Sequence, residues 1–348
     1  MNRLTEALCS VAVAVLVAGC GGDGSPVQTS AASPTSAPPA EPAPARVPAV
    51  PPAGRVVPLP NGPEGIVVGT SRVAAIAVRN PAAIVLVDAS TGAVRRTIPT
   101  SGAARHLSLA GPDGPVLAPL ETSDELVELS LADGDVVSMT TGVGRQPHDA
   151  ARTADGTIVV TNELGGGVVF VRDGAVIASL PAGPPQPGGV AAVGRYAAVA
   201  DVQGNGVWVY DGSSRQQVAQ KQVGTKLTHA LGLSDDLVAF ADTDGDAVLI
   251  ERIDPQITEV ARVDAPGKPY GLAYDSQRRR LYVTLTATNQ MQVIDLSDTA
   301  NPQILGFAPT VQQPNSVAVD RTSGAVLITG SNPSGSLQIV TADQLPKA

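Results

Sequence analysis

Thiols, aromatic rings and basic charge are all scarce in this chain, and each shortage removes a class of function. The 348 residues include two cysteines, Cys9 and Cys20, both near the N-terminus. From residue 21 onward no disulfide can staple the fold, and no Cys-x-x-Cys pair is present for zinc or redox work. Aromatic residues make up 3% of the chain and Trp208 is the sole tryptophan, which argues against a sugar site built from stacked rings. Lys and Arg number 23 against 32 Asp and Glu, a net charge of −9. No basic patch offers itself to phosphates, so nucleic acid is not an expected partner. The sequence also lacks a His-Glu-x-x-His zinc helix, a Gly-x-Ser-x-Gly nucleophile elbow and a Gly-Lys-Ser/Thr phosphate loop. Gly165-Gly166-Gly167 therefore reads as a turn between strands. Asp242-Thr243-Asp244-Gly245-Asp246 starts like a calcium loop, but its twelfth position is Ile253 rather than Glu, and it too reads as a turn.

What is present begins with an export segment. Arg3 gives a positive start, and an apolar run from Ala7 to Ala18 is broken only by Cys9 and Ser10. That run is too short to span a bilayer and suits the apolar core of a secretory signal. It ends in Leu16-Val17-Ala18-Gly19-Cys20. Small residues directly before a cysteine are similar to the lipobox of bacterial lipoprotein precursors. The resemblance implies cleavage before Cys20, acylation of its thiol, and a cell-membrane anchor on the extracytoplasmic face. Residues 1–19 are thus read as signal peptide. Residues 20–54 are almost entirely Ala, Pro, Ser and Gly, cannot bury enough apolar surface to fold, and are read as a lipidated, disordered tether.

Residues 55–348 form a repeat array. Anchors at Pro63, Arg105, Pro147, Pro187, Thr228, Pro269 and Pro314 are spaced by 42, 42, 40, 41, 41 and 45 residues, the period of a four-stranded propeller blade. Each unit repeats short apolar runs such as Val73-Ala74-Ala75-Ile76-Ala77-Val78 and Leu237-Val238-Ala239-Phe240-Ala241, which suit strands buried on both faces. Third strands end in Asp, as in Val207-Trp208-Val209-Tyr210-Asp211. The seventh unit stops after three strands, while an orphan, Arg55-Val56-Val57-Pro58-Leu59, precedes the first. The expected fold is all-β: a seven-bladed β-propeller whose N-terminal strand completes the last blade and removes an open edge.

Leu281-Tyr282-Val283-Thr284 followed by Val293-Ile294-Asp295, and more loosely Val159-Val160-Thr161-Asn162, resemble the YVTN-type β-propeller repeat of secreted bacterial proteins. The resemblance covers about residues 55 to 348. It implies the fold and not the activity, because propellers carry many unrelated functions.

The three histidines, His106, His148 and His229, each fall one residue after an anchor. They are therefore expected at one shared position of the repeat, in a ring at one mouth of the central channel. The other members of that ring are Glu64, Gly188, Tyr270 and Asn315. Imidazoles converging on an axis suit a borderline transition metal such as zinc, with Asp201 or Asp242, at the ends of second strands, as an oxygen ligand. The stretch from Thr228-His229-Ala230-Leu231 through Val238-Ala239-Phe240-Ala241-Asp242 is similar to periplasmic zinc-metallochaperone propellers, which implies zinc as cargo and a metal importer or another envelope protein as partner. A non-enzymatic, monomeric ligand-binding lipoprotein is the leading expectation. Two others stand beside it. One is a secreted hydrolase or lyase resembling lactonases, with His148 or His229 as a general base near Glu64. The other is a protein-interaction platform on one face.

Overall fold

Blade after blade, alternate residues of one strand serve two different cores. Val73, Ala75 and Ala77 pack with Val116, Ala118 and Leu120 of the next blade. Ala74, Ile76 and Val78, between them in sequence, pack with Leu327, Leu337 and Ile339 of the last blade. Side chains alternate across a strand, so a strand sandwiched between two neighbours must be apolar at every position, as these are. In the computed structural model the result is seven four-stranded antiparallel sheets, a seven-bladed β-propeller. The structure describes residue 39 and residues 41–59, 62–254, 256–332 and 334–347. The chain divides into units 1–30 and 31–348, and all described residues belong to the second. The expected signal peptide and Cys20 lie outside the described residues.

The ring closes as the orphan strand predicts. Arg55–Pro58 pairs antiparallel with Ser336–Val340, from Arg55 opposite Ile339 to Pro58 opposite Ser336. This gives the last blade its fourth strand. The aspartates that end the third strands act as turn caps. The Asp88 carboxylate accepts from the Ser90 and Thr91 amides, and Asp211 accepts from Ser213 and Ser214. Among the described residues the only helix is the short 3-10 turn Ala342–Gln344, and none is long and apolar enough to cross a membrane.

Each inner strand, the one lining the channel, opens at or near a residue paired with the end of its second strand, in blade two through an isolated bridge ahead of the short strand Ser108–Leu109. The pairs are Pro63–Val78, Ala104–Leu120, Pro147–Asn162, Pro187–Asp201, Leu227–Asp242, Pro269–Leu285 and Pro314–Gly330. Proline suits this first position because it has no N–H to offer the ladder. Within the next three residues the register slips by one in six of the blades. Such a bulge re-aims the side chains beside it, and it recurs around the channel.

This pairing corrects the sequence alignment in two blades. The starts are Ala104 and Leu227, not Arg105 and Thr228. His148 therefore stands one residue after its start, whereas His106 and His229 stand two after theirs. The three histidines do not share one repeat position. Part of the segment expected to be a tether is held in place. The segment beginning at Glu41 lies against the propeller, with Ala53 N–H donating to Pro309 O at 2.9 Å.

Candidate metal centre

Two layers of side chains meet at the mouth where the inner strands begin. The first layer, one residue after each start, is Glu64, Arg105, His148, Gly188, Thr228, Tyr270 and Asn315. The second, two after each start, is Gly65, His106, Asp149, Gly189, His229, Gly271 and Ser316. Glycine recurs in the second layer because neighbouring backbones nearly touch there. A Cβ on Gly65 would lie 2.7 Å from Arg105 O, and one on Gly189 2.8 Å from His229 Cα. Because the bulge lets adjacent positions both reach the axis, the histidines still converge. Ring centroids of His106 lie 4.5 Å from both His148 and His229, and the Nε2 atoms of His106 and His229 are 3.3 Å apart. Tyr270 stacks edge-on against His229 at 4.1 Å.

All three imidazoles are held neutral. Burial drives His106 and His148 well below the usual histidine range and His229 down to about 3, with the Arg105 guanidinium adding to the effect. Their partners differ. His229 Nδ1 meets Thr228 Oγ1 at 3.1 Å. For His148, 1% exposed, neither ring nitrogen makes a well-formed hydrogen bond among the described residues, the Gly188 backbone offering only a weak one. A buried imidazole without a well-formed hydrogen bond forfeits most of what it had in water.

What lies beside His148 is carboxylate. Ligand atoms of His148, Glu121 and Glu163 all fall within 4.8 Å of one another, and all three residues are buried. Among the described residues this is the one such set of three or more His, Cys, Asp or Glu side chains. Glu121 and Glu163 each stand one residue beyond the end of a second strand, Val116–Leu120 and Ile158–Asn162. Their backbone amides are fixed by Ala103 O and Gln146 O. Glu121 Oε1 accepts from Arg105 Nε at 2.7 Å, and Glu163 Oε2 accepts from Gln146 Nε2 at 3.1 Å. Sequence reasoning stopped one residue short of both glutamates. A charged residue at or just past the end of the second strand in three consecutive blades, at Arg79, Glu121 and Glu163, was the available signal.

The oxygen ligands expected from sequence serve turns instead. Asp242 accepts the amides of Thr225, Lys226 and Gly245, and Asp201 accepts Gly204 N–H and the Trp208 indole N–H. Neither belongs to the set around His148. Of the remaining first-layer residues, Asn315 donates to Glu64 Oε2 at 2.7 Å, and Arg79 Nη1 lies 3.8 Å from Glu64 Oε1. Burial raises the Glu64 carboxyl, and Asn315 and the two arginines counter it. Gly188 has no room for a side chain, since a Cβ there would meet Thr228 O at 2.7 Å.

Beyond the second layer the channel widens into a cavity of about 380 Å³, with His106, Asp149 and His229 at its inner end and apolar walls that include Val68, Leu109 and Leu231. Its volume lies within the range of small-ligand sites. Asp149, at that end, accepts from the Ala150 and Val190 amides, and burial pushes its carboxyl up to about 7.

No protein-family model matches the sequence, and neither does any curated protein. Solved structures do match in fold. The hydrazine synthase of Kuenenia stuttgartiensis is 15% identical over 83% of this chain and 98% of that chain, with a TM-score of 0.67. Virginiamycin B lyase from Staphylococcus aureus is 14% identical over 82% and 99%, with a TM-score of 0.66. The RRP9 WD40 repeats are 12% identical over 83% and 98%, with a TM-score of 0.73. At these identities the likeness establishes the propeller fold and nothing finer.

Proposed function

We propose that this protein is an extracytoplasmic, lipid-anchored β-propeller that binds a divalent transition metal in its central channel. Zinc is the first choice. The observation that carries the reading is His148: buried, neutral, without a well-formed hydrogen bond at either nitrogen, and with ligand atoms within 4.8 Å of those of two buried glutamates. One imidazole and two carboxylates make an intermediate donor set that suits zinc, manganese or iron(II), and three protein ligands leave a coordination position open. The zinc implied by the metallochaperone resemblance therefore has a fitting site, on Glu121, His148 and Glu163 rather than on three histidines and an aspartate. An open position suits a carrier that must hand its metal on, and a metal importer or another envelope protein is the partner that this role implies. A second reading, a hydrolase or lyase, draws on the cavity ending at His106, Asp149 and His229, where a small molecule would sit against two neutral imidazoles and a carboxyl.

Calorimetric titration of the metal-stripped protein with zinc tests the proposal. One equivalent should bind the wild type, and His148→Ala should lose at least tenfold in affinity, since second-shell losses alone cost about 10–100-fold. Equal binding by both proteins would refute it. Turnover of a lactone or similar ester would favour the enzyme reading.

A further inference from the structure

The Pro/Ala-rich segment before the propeller crosses the mouth of the channel and delivers a carboxylate to it. Its backbone is held by side-chain amides of the last two blades. Gln313 Nε2 donates to Ala43 O at 2.8 Å, Gln312 Nε2 to Ala45 O at 2.8 Å and Asn289 Nδ2 to Arg46 O at 2.7 Å. Ala45 N–H donates in turn to Gln313 Oε1 at 3.0 Å. Amides that grip backbone carbonyls can fix an extended segment of small residues that has few side chains to pack. The effect is to bring Glu41 to Arg105, whose Nη2 donates to Glu41 Oε1 at 2.7 Å.

Arg105 is only 4% exposed, and its Nε is already bonded to Glu121. One guanidinium is thus shared between the strap and a glutamate of the candidate metal centre. A cation beside a metal site opposes loading in two ways: it repels the ion and it competes for Glu121. A second carboxylate on Arg105 weakens both effects. Arg79 Nη2 also reaches Glu121 Oε2, at 3.4 Å, and its Nη1 lies 3.8 Å from Glu64. With Glu41 seated, the carboxylates of Glu41, Glu64, Glu121 and Glu163 face the two guanidiniums of Arg79 and Arg105, and the two negative charges left over match a divalent cation.

We propose that residues 41–46 form a strap that closes the channel mouth and, through Glu41 and Arg105, retains the metal bound by Glu121, His148 and Glu163. This inference rests on the metal-binding reading above. Retention is then linked to the seating of the strap: displacing it exposes the mouth and leaves the charge of Arg105 without Glu41, which strengthens its hold on Glu121 and releases the ion. In a membrane-anchored protein the tether that carries the strap is also the segment a partner could pull or cover. Glu41 is a positioning residue here, acting through Arg105 and not as a ligand.

The test uses full-length, zinc-loaded protein and follows zinc release into excess chelator. Glu41→Gln keeps the shape of an exposed side chain and removes its charge. It should release zinc about tenfold faster, within the usual range of coupling between linked sites. The double variant Gln312→Ala/Gln313→Ala, which loosens the strap without touching the metal centre, should do the same. Hydrogen exchange on the metal-free proteins gives an independent readout. The Ala45 amide should be protected in the wild type and unprotected in the double variant. Equal release rates in wild type and Glu41→Gln would overturn the proposal, even with the Ala45 amide protected. Failure of the wild type to bind zinc would overturn the metal reading itself, and the exchange data would then show whether the strap is seated on its own account.

Discussion

Gly65 is where the packing of the fold and the geometry of the centre can be tested with one methyl group. Its amide donates to Arg105 O at 2.8 Å, joining the first inner strand to the second across the channel mouth. A Cβ there would lie 2.7 Å from Arg105 O, 2.9 Å from His106 Cα and 2.9 Å from Leu107 N. All three are backbone atoms, so no side chain can rotate away. The two blades must separate by roughly half an ångström or more to reach ordinary contact distances near 3.5 Å. Overpacking of this kind costs about 1–3 kcal/mol, and weakening the Gly65–Arg105 hydrogen bond adds about 1 kcal/mol. Gly65→Ala should therefore destabilise the protein by about 2–4 kcal/mol, a large part of a typical 5–15 kcal/mol total. The sign is diagnostic. Where the backbone permits it, Gly→Ala stabilises by about 0.4–1 kcal/mol by restricting the unfolded chain. Denaturant unfolding followed by far-ultraviolet circular dichroism measures the difference. Because the displaced backbone belongs to Arg105 and His106, zinc affinity should fall as well. A variant as stable as wild type, or more stable, would refute the close approach of the two inner strands.

Two further predictions concern groups away from the candidate ligands. Asp242→Ala orphans the Thr225, Lys226 and Gly245 amides and should cost about 2–4 kcal/mol, seen as a lower denaturation midpoint, while zinc affinity at 25 °C stays at the wild-type value; a lost zinc site would return Asp242 to the ligand set. Tyr282 is buried with no partner for its hydroxyl among the described residues, and burial pushes its phenol up to about 12. In the unfolded chain a tyrosine ionises near ~10, so between those values the folded state keeps a proton that the unfolded state has lost. Stability should therefore fall as pH rises from 10 to 12, by up to ~3 kcal/mol from this residue. Tyr282→Phe should flatten that fall and leave stability at pH 7 nearly unchanged, and an unaltered alkaline slope in the variant would contradict the assignment.

The blades and the closing strand were legible because each rests on pattern. Strands buried on both faces must be apolar throughout, as Val73–Val78 is, and a three-stranded last unit beside an orphan strand leaves one economical solution. That the histidines lie toward one mouth of the channel was legible too, but neither their convergence nor their register was. Blades two and five have no proline at the start of the inner strand, so Ala104 and Leu227 carry no mark, and the histidines themselves drew the alignment one residue off. The bulge then brought His106 and His229 to the axis from a position that ordinary strand alternation would turn away. Glu121 and Glu163 were hidden because they follow the strands instead of lying within them. Asp201 and Asp242 drew attention by their place at strand ends, where an aspartate is most often a turn cap. The strap was hidden by composition: Ala and Pro suggest a free tether, and the groups that fix it, Asn289, Gln312 and Gln313, lie more than 240 residues away in sequence.

The measurement that bears most directly on the central claim is a crystal structure of the zinc-soaked protein with data collected at the zinc absorption edge. The account predicts a single anomalous peak about 2.0–2.2 Å from a His148 ring nitrogen and from carboxylate oxygens of Glu121 and Glu163. A peak bridging His106 and His229 without Glu121 and Glu163, or no peak in the channel at all, would contradict it.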